Sequence, residues 1–413
     1  MIMAAKLTEI SSCFLVLLSL IGSTWTLPIA TQQQSAASSS VASLWWSVSV
    51  STTGQYQTAS LFGEDSPGIY TSSDYGTTWA IADISGYYPA FLAGWTSVSM
   101  SSDGQDQTAV DVQSGIYASS NYGATWTMAL PLQEAWGSVS LSSYGDYQFA
   151  ASQYGRVSVT NGGVITYSRD KGKTWRITGA PLAEWRSVSL ASDGPNRTAV
   201  GFDGIYTADD ESGNYWTRRS TPSTFAYDAW ASVGLSSTGQ YQTAVNAFGG
   251  ICTSSDYGAT WKITTAPSAV WASVSLSSTG EYQAAVAFDE DAGGIYTSSD
   301  SGATWTIALS LKLSWRSVSL SSTGQYQTAV AYGGGIYISS DYGAKWKTVR
   351  VSLMTPLPTM VRHGPSPLSL KLGGHMINGT AAEQLMFLKS QAVSFFEAQA
   401  ESQGRARQVT SSG

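Results

Sequence analysis

Residues 335–346 read GIYISSDYGAKW, and the chain says nearly the same thing seven times. The core of the phrase, Ser-x-Asp-x-Gly-x-x-Trp, recurs as SSDYGTTW at 72–79, SSNYGATW at 119–126, SRDKGKTW at 168–175, SSDYGATW at 254–261, SSDSGATW at 298–305 and SSDYGAKW at 339–346. A further copy, ADDESGNYW at 208–216, is longer by one residue. The acidic or amide position (Asp74, Asn121, Asp170, Asp210, Asp256, Asp300, Asp341) is expected to bond backbone N–H groups two residues on and so form a tight turn. The following glycine supplies the positive φ that a residue with a Cβ resists. The closing Trp79, Trp126, Trp175, Trp216, Trp261, Trp305 and Trp346 are expected to start the next strand with their rings folded on the hairpin. Any one of these carboxylates could in principle ligate a metal or act as an acid. A group repeated in every unit is better read as scaffold.

A second phrase, Trp-x-Ser-Val, opens each unit at Trp45, Trp95, Trp136, Trp185, Trp230, Trp271 and Trp315, with a period between 41 and 50 residues. That period belongs to propeller blades. Four strands are legible in one unit: 271–276, 282–288, 294–298 and 304–308, with the hairpin signal SSTG at 277–280. The fold expected is all-β, a seven-bladed β-propeller of four-stranded blades over residues 41–352. A linear β-solenoid is the alternative, and whether a repeat is a whole blade stays open at this level.

The repeated turn resembles the Asp-box, or bacterial-neuraminidase repeat, of the propellers in sialidases, xyloglucan hydrolases, sortilin-type receptors and photosystem II assembly factors. The resemblance covers residues 45–350 and is specific for fold, but the families that share it mix enzymes with binding proteins. It implies that sites lie on the face opposite the Asp-boxes. Sialidases of this kind grip a carboxylate with three arginines, the first ahead of the first blade. Here the first arginine is Arg156, and Arg186, Arg316 and Arg218-Arg219 do not rebuild that trio. Xyloglucan hydrolases use two propellers against the one here. Assembly factors match better in size and blade count.

The ends differ from the middle. Lys6, the apolar run 14–21 (FLVLLSLI) and small residues at 22–23 read as a signal peptide within 1–30, too short to span a bilayer stably. Residues 31–40 are a Ser/Gln-rich linker. Export to a secreted or endomembrane, lumenal compartment follows, and the sequons at Asn196 and Asn378 are candidate glycosylation sites. Cys252 then stands alone as a small buried side chain in place of a Tyr. Residues 353–413 form a Pro-rich, mostly irregular tail, with one helix expected near 381–403. A net charge of −7 argues against nucleic acid.

Both histidines, His363 and His375, lie in the tail, which excludes a Ser-His-Asp triad or a histidine metal site from the repeats. The loops joining second to third strands carry a recurring aromatic (Phe62, Tyr154, Phe202, Phe248, Phe288, Tyr332) and acidic residues (Asp65, Asp111, Asp203, Asp289, Asp291). Aromatic platforms beside carboxylates suit sugar rings, although the same rings serve as well to cap blade cores. The acidic triplet 289–291 has the oxygen chemistry for Ca²⁺, with a solvated loop the preferred reading and no cofactor required. The function expected is a monomeric, non-enzymatic scaffold for glycan or protein. The alternatives are a sialidase-like or carboxylate-pair glycoside hydrolase and an assembly factor-like protein of a photosynthetic lumen. Because no Lys or Arg occurs between Leu7 and Gly155, a cationic or Ca²⁺-bridged ligand is expected over an anionic one. Variation is expected to concentrate in loops, with the strands presenting seven similar faces.

Overall fold

The computed structural model describes residues 44–62, 68–84, 94–112, 114–154, 162–210, 213–222, 228–288, 292–349 and 351, with the strands Ser369–Leu372 and His375–Asn378 of the tail. Each repeat is one blade. The first blade pairs Trp45–Val50, Gln57–Leu61, Gly68–Ser72 and Ala80–Ile81 in that order, all antiparallel. Six more sheets repeat the order. One of them gains a short parallel strand, Asp83–Ile84, which reaches from the first blade to pair with Thr125 and Trp126. The first strands stand side by side around an axis, and the first strand of the seventh blade packs against that of the first. The solenoid alternative is therefore excluded: the fold is a closed seven-bladed β-propeller.

Three polar rings explain why the repeat is kept. In every blade the serine of Trp-x-Ser-Val accepts a hydrogen bond from the valine N–H of the next, from Val98 to Ser47 (3.2 Å) round to Val48 to Ser317 (3.3 Å). Where the first strands end, seven backbone bonds link Thr52, Ser102, Ser143, Ser192, Ser237, Ser278 and Ser322 head to tail at 2.8–3.0 Å. Further out, a buried threonine donates to the Oε1 of a glutamine in the next blade, as Thr58 does to Gln107 (2.7 Å) and Thr328 to Gln57 (2.8 Å). These bonds satisfy groups that would otherwise be buried without partners. The serine ring and the backbone ring run through all seven blades and close where the last blade meets the first.

Apolar packing fills each blade. The opening tryptophans are all buried, and five lie edge-on to a third-strand tyrosine at 4.9–5.2 Å, as Trp45 does to Tyr70. Cys252 takes the tyrosine's place in the fifth blade, fully buried, and burial pushes its thiol up to about 12. That thiol stays protonated and inert at neutral pH.

The repeated turn differs in detail from the sequence expectation. Asp256 Oδ1 accepts from Thr260 N–H (2.9 Å), four residues on rather than two, and its Oδ2 accepts from the Thr260 hydroxyl (2.6 Å). Ser254 is a second hub: it donates to Asp256 (2.8 Å) and accepts from Gly258 N–H (2.9 Å). Reaching that far takes two successive left-handed residues, Tyr257 (φ 60°) and Gly258 (φ 77°). In all seven copies the tryptophan folds back on the turn, its indole N–H donating to the glycine carbonyl at 2.9–3.1 Å.

The chain's contacts divide into two units, Met1–Leu353 and Met354–Gly413. In the second, Ser369–Leu372 pairs antiparallel with His375–Asn378, where the sequence reading had only irregular chain. The Gly-Gly pair at 373–374 is the hairpin signal that it passed over. The helix expected near 381–403, the linker and the signal segment lie outside the described residues.

Candidate binding site

The repeated turns and the hairpins joining first to second strands share one face, tied by bonds such as Tyr75 N–H to the Gln55 carbonyl (3.1 Å). The antiparallel order puts the loops from second to third strand on the other face. There the axial channel opens into a cavity of about 480 Å³.

Its wall is built by a distortion common to all blades. The pairing of first and second strands slips between the Trp and the Ser of Trp-x-Ser-Val, so that Trp45 faces Leu61 while Ser47 faces Ser60. The same slip occurs in the other six blades. The residue x is an extra residue in a β-bulge, a device that re-aims a side chain out of the ladder. The x residues Trp46, Thr96, Gly137, Arg186, Ala231, Ala272 and Arg316 all line the cavity. The expectation that the strands present seven similar faces is thus corrected: one strand position varies freely, and it faces the channel.

Of the aromatics singled out from sequence, Phe202, Phe248 and Phe288 line the same cavity. Phe248 stands out at 69% exposure. Phe62 and Tyr332 sit just behind, against the indole of Trp46 at 5.1 and 6.4 Å. Tyr154 is exposed on the rim, its hydroxyl donating to Glu184 Oε2 at 3.4 Å. Burial raises the Glu184 carboxyl above its ordinary range, with Arg186 opposing the shift.

The acidic candidates are placed differently. Asp111 is buried, accepting from Gly94 N–H of the preceding blade connection (2.9 Å) and from the N–H and hydroxyl of Ser114 in its own loop (both 2.7 Å). Asp203 is exposed and not among the residues lining the cavity, and its carbonyl accepts from Arg218 Nε (2.8 Å). Asp65, Asp289 and Asp291 lie outside the described residues. Among the described residues no cluster of three metal-ligating side chains occurs, and no helix is long and apolar enough to cross a membrane. At the Asn196 sequon, Thr198 is fully buried and donates to Gln242 (2.7 Å), so the sequon is locked in a strand of the folded blade. Asn378 ends the second tail strand.

Two cationic residues complete the cavity. The Arg316 guanidinium lies over Trp46 at 4.5 Å, Phe288 at 5.4 Å and Tyr332 at 5.5 Å. Its Nε is buried without a hydrogen-bond partner, and burial lowers its affinity for the proton. Arg186 lies over Phe202 at 4.7 Å and reaches Gln153 at 3.3 Å. No Asp or Glu is among the described residues of the wall. The first two units lack arginine, but the fourth and seventh blades bring Arg186 and Arg316 to the shared axis. Their WRSVS context was the available signal.

The arrangement defines a class: a single closed propeller whose channel mouth is an aromatic and cationic pocket. No protein-family model matches the chain, and no curated protein matches it. Among solved structures it is similar to YCF48 from Cyanidioschyzon merolae, at 14% identity and a TM-score of 0.54, over 72% of this chain and 95% of that one. It is similar also to YCF48 bound to D1 peptide, at 14% identity and a TM-score of 0.54, over 73% and 92% of the two chains. At such identity the likeness is one of fold.

Proposed function

We propose that the protein is an exported, non-enzymatic binding scaffold that holds a protein segment at the channel mouth, on the face opposite its repeated turns. The observation that carries this reading is the bulged ring of x residues: a scaffold otherwise repeated closely in each blade varies where it faces the channel. Exposed Phe248 beside that ring offers an apolar anchor of the kind that interfaces use. A polypeptide ligand is further supported by the solved YCF48 propeller, which is described as bound to D1 peptide. A role akin to that of an assembly factor fits both points. The turns themselves are proposed to be Asp-boxes, serving as scaffold.

A glycan is the second reading, favoured by the exposed rings of Phe202, Phe248 and Phe288, which would stack on sugar C–H faces. A hydrolase would need a pair of carboxylates converging on the substrate, and the described wall supplies none. The test is retention of the purified protein on peptide and glycan arrays, with Phe248→Ala and Phe288→Ala in parallel. Retention on peptides that both variants lose is the expected result. Retention on glycans alone supports the second reading, and turnover of chromogenic glycosides overturns both.

A further inference from the structure

The mouth of the channel is not uniform around its axis. Taken in blade order, the bulged positions run Arg186, Ala231, Ala272, Arg316 from the fourth blade to the seventh. Two adjacent blades therefore present only methyl groups, between two that each present a guanidinium. The walls behind the alanines are apolar as well, with Ala229, Ala247 and Val270 lining the cavity there. Phe248 projects above this bed, and Phe288 closes its seventh-blade end beneath Arg316.

The Arg316 guanidinium has no anion beside it among the described residues, and Arg186 has the partly buried Glu184 carboxylate near it. Arg316 is fixed over three rings, makes no ion pair with the described residues and keeps a buried Nε without a partner. A desolvated guanidinium in such surroundings gains most from a carboxylate that arrives with the ligand, because the low local dielectric strengthens the pair. Arg186 is positioned by Phe202 and Gln153, and its own hydrogen-bonding capacity is far from used.

We propose that this slot, from Arg186 to Arg316 across the fifth and sixth blades, binds an extended acidic peptide. An apolar or aromatic side chain would rest on the Ala231–Ala272 bed against Phe248, and carboxylates on either side of it would meet Arg186 and Arg316. The inference rests on the binding reading above and adds the ligand's charge pattern to it. Charge complementarity selects the occupant: the described wall carries two cations and no carboxylate. The order of residues along the slot then sets the pattern, acidic, apolar, acidic.

A displayed library of random decapeptides, selected on the full-length wild-type protein and on Arg316→Gln in parallel, tests it. Wild type should enrich peptides with Asp or Glu on both sides of an aromatic or aliphatic residue. A representative enriched peptide should bind Arg316→Gln and Arg186→Gln roughly tenfold or more weakly, as loss of one partner of a desolvated charge pair does. Phe248→Ala should weaken it as well. A matched melting temperature for each variant separates these losses from misfolding, and Tyr122→Ala on the opposite face should leave binding unchanged. Enrichment of neutral or basic peptides, lost with Phe248→Ala but not with Arg316→Gln, overturns the acidic pattern while leaving the peptide-binding face in place. Selection of nothing above background, or of peptides that only Tyr122→Ala releases, contradicts both readings.

Discussion

Gln327 marks a break in the threonine–glutamine ring, and a single side chain accounts for it. In five blades a buried threonine hydroxyl donates to the next blade's glutamine. The sixth blade has Ala284 at that position, and Gln327 Oε1 is left buried without a partner. The remaining gap is filled differently: Phe149 and Arg197 replace the pair, and the guanidinium lies 4.9 Å from the phenyl centroid. Ala284→Thr should therefore complete a link and raise stability by about 1 kcal/mol. Denaturant unfolding beside wild type checks this, and a loss of stability would mean that the pocket cannot take the hydroxyl.

At the same scale, the turn aspartates carry a pH dependence whose sign can be stated. Hydrogen bonds from the side chain of Thr260 hold Asp256 below its ordinary value of 3.8, with burial opposing them. A carboxyl depressed in the folded state contributes fully above its unfolded value, and the contribution is lost as pH falls through the folded one. Asp170 behaves alike through Thr174. Stability should accordingly decline below about pH 4, the unfolded range of an aspartate. Asp256→Asn should flatten part of that decline. It should also cost less than Asp256→Ala, because Asn121 already occupies this turn and still accepts from Thr125 N–H at 3.0 Å. Asp256→Ala should cost about 1–2 kcal/mol and leave ligand binding untouched, and a binding loss at unchanged melting temperature would contradict the scaffold role.

Between elements, the seams are held by single side chains reaching across blades. Ser273→Ala removes the acceptor of Val318 N–H (3.3 Å) and should destabilise the sixth-to-seventh seam by about 1–3 kcal/mol. Faster hydrogen exchange at Val318, confined to that seam, is the expected signature, and unchanged exchange would show that the ring is incidental. The elements were largely legible beforehand, because the Ser-x-Asp-x-Gly-x-x-Trp turn and the Trp-x-Ser-Val opening each encode a local conformation. The bulge was not legible. Nothing in Trp-Arg-Ser-Val tells of an extra residue; the slip follows from Trp45 and Ser47 both finding buried partners in the neighbouring strand and blade. For the same reason Phe202, Phe248 and Phe288 could be named from their loops, while Trp46, Arg186 and Arg316 emerged as a group only once seven strands shared an axis. Asp111 shows the converse: an acidic loop residue that looked available satisfies its own loop and the preceding blade connection.

At the scale of the molecule, closure and function are separate problems solved by different parts of one repeat. Serine, threonine and glutamine rings close the propeller, and the turn tryptophans seal its blades. Neither would tell one ligand from another. The bulged position and the loops beside it are free of those duties, so recognition can be built there. This division makes a direct test available. A photo-activatable amino acid placed at Phe248, in the channel mouth, and separately at Tyr122, among the repeated turns, reports which face meets a partner in the protein's native compartment. Peptide binding at the channel mouth predicts a protein adduct from position 248, diminished by Arg316→Gln, and none from position 122. An adduct from position 122 alone, or a glycan adduct from 248 in place of a protein, would contradict it.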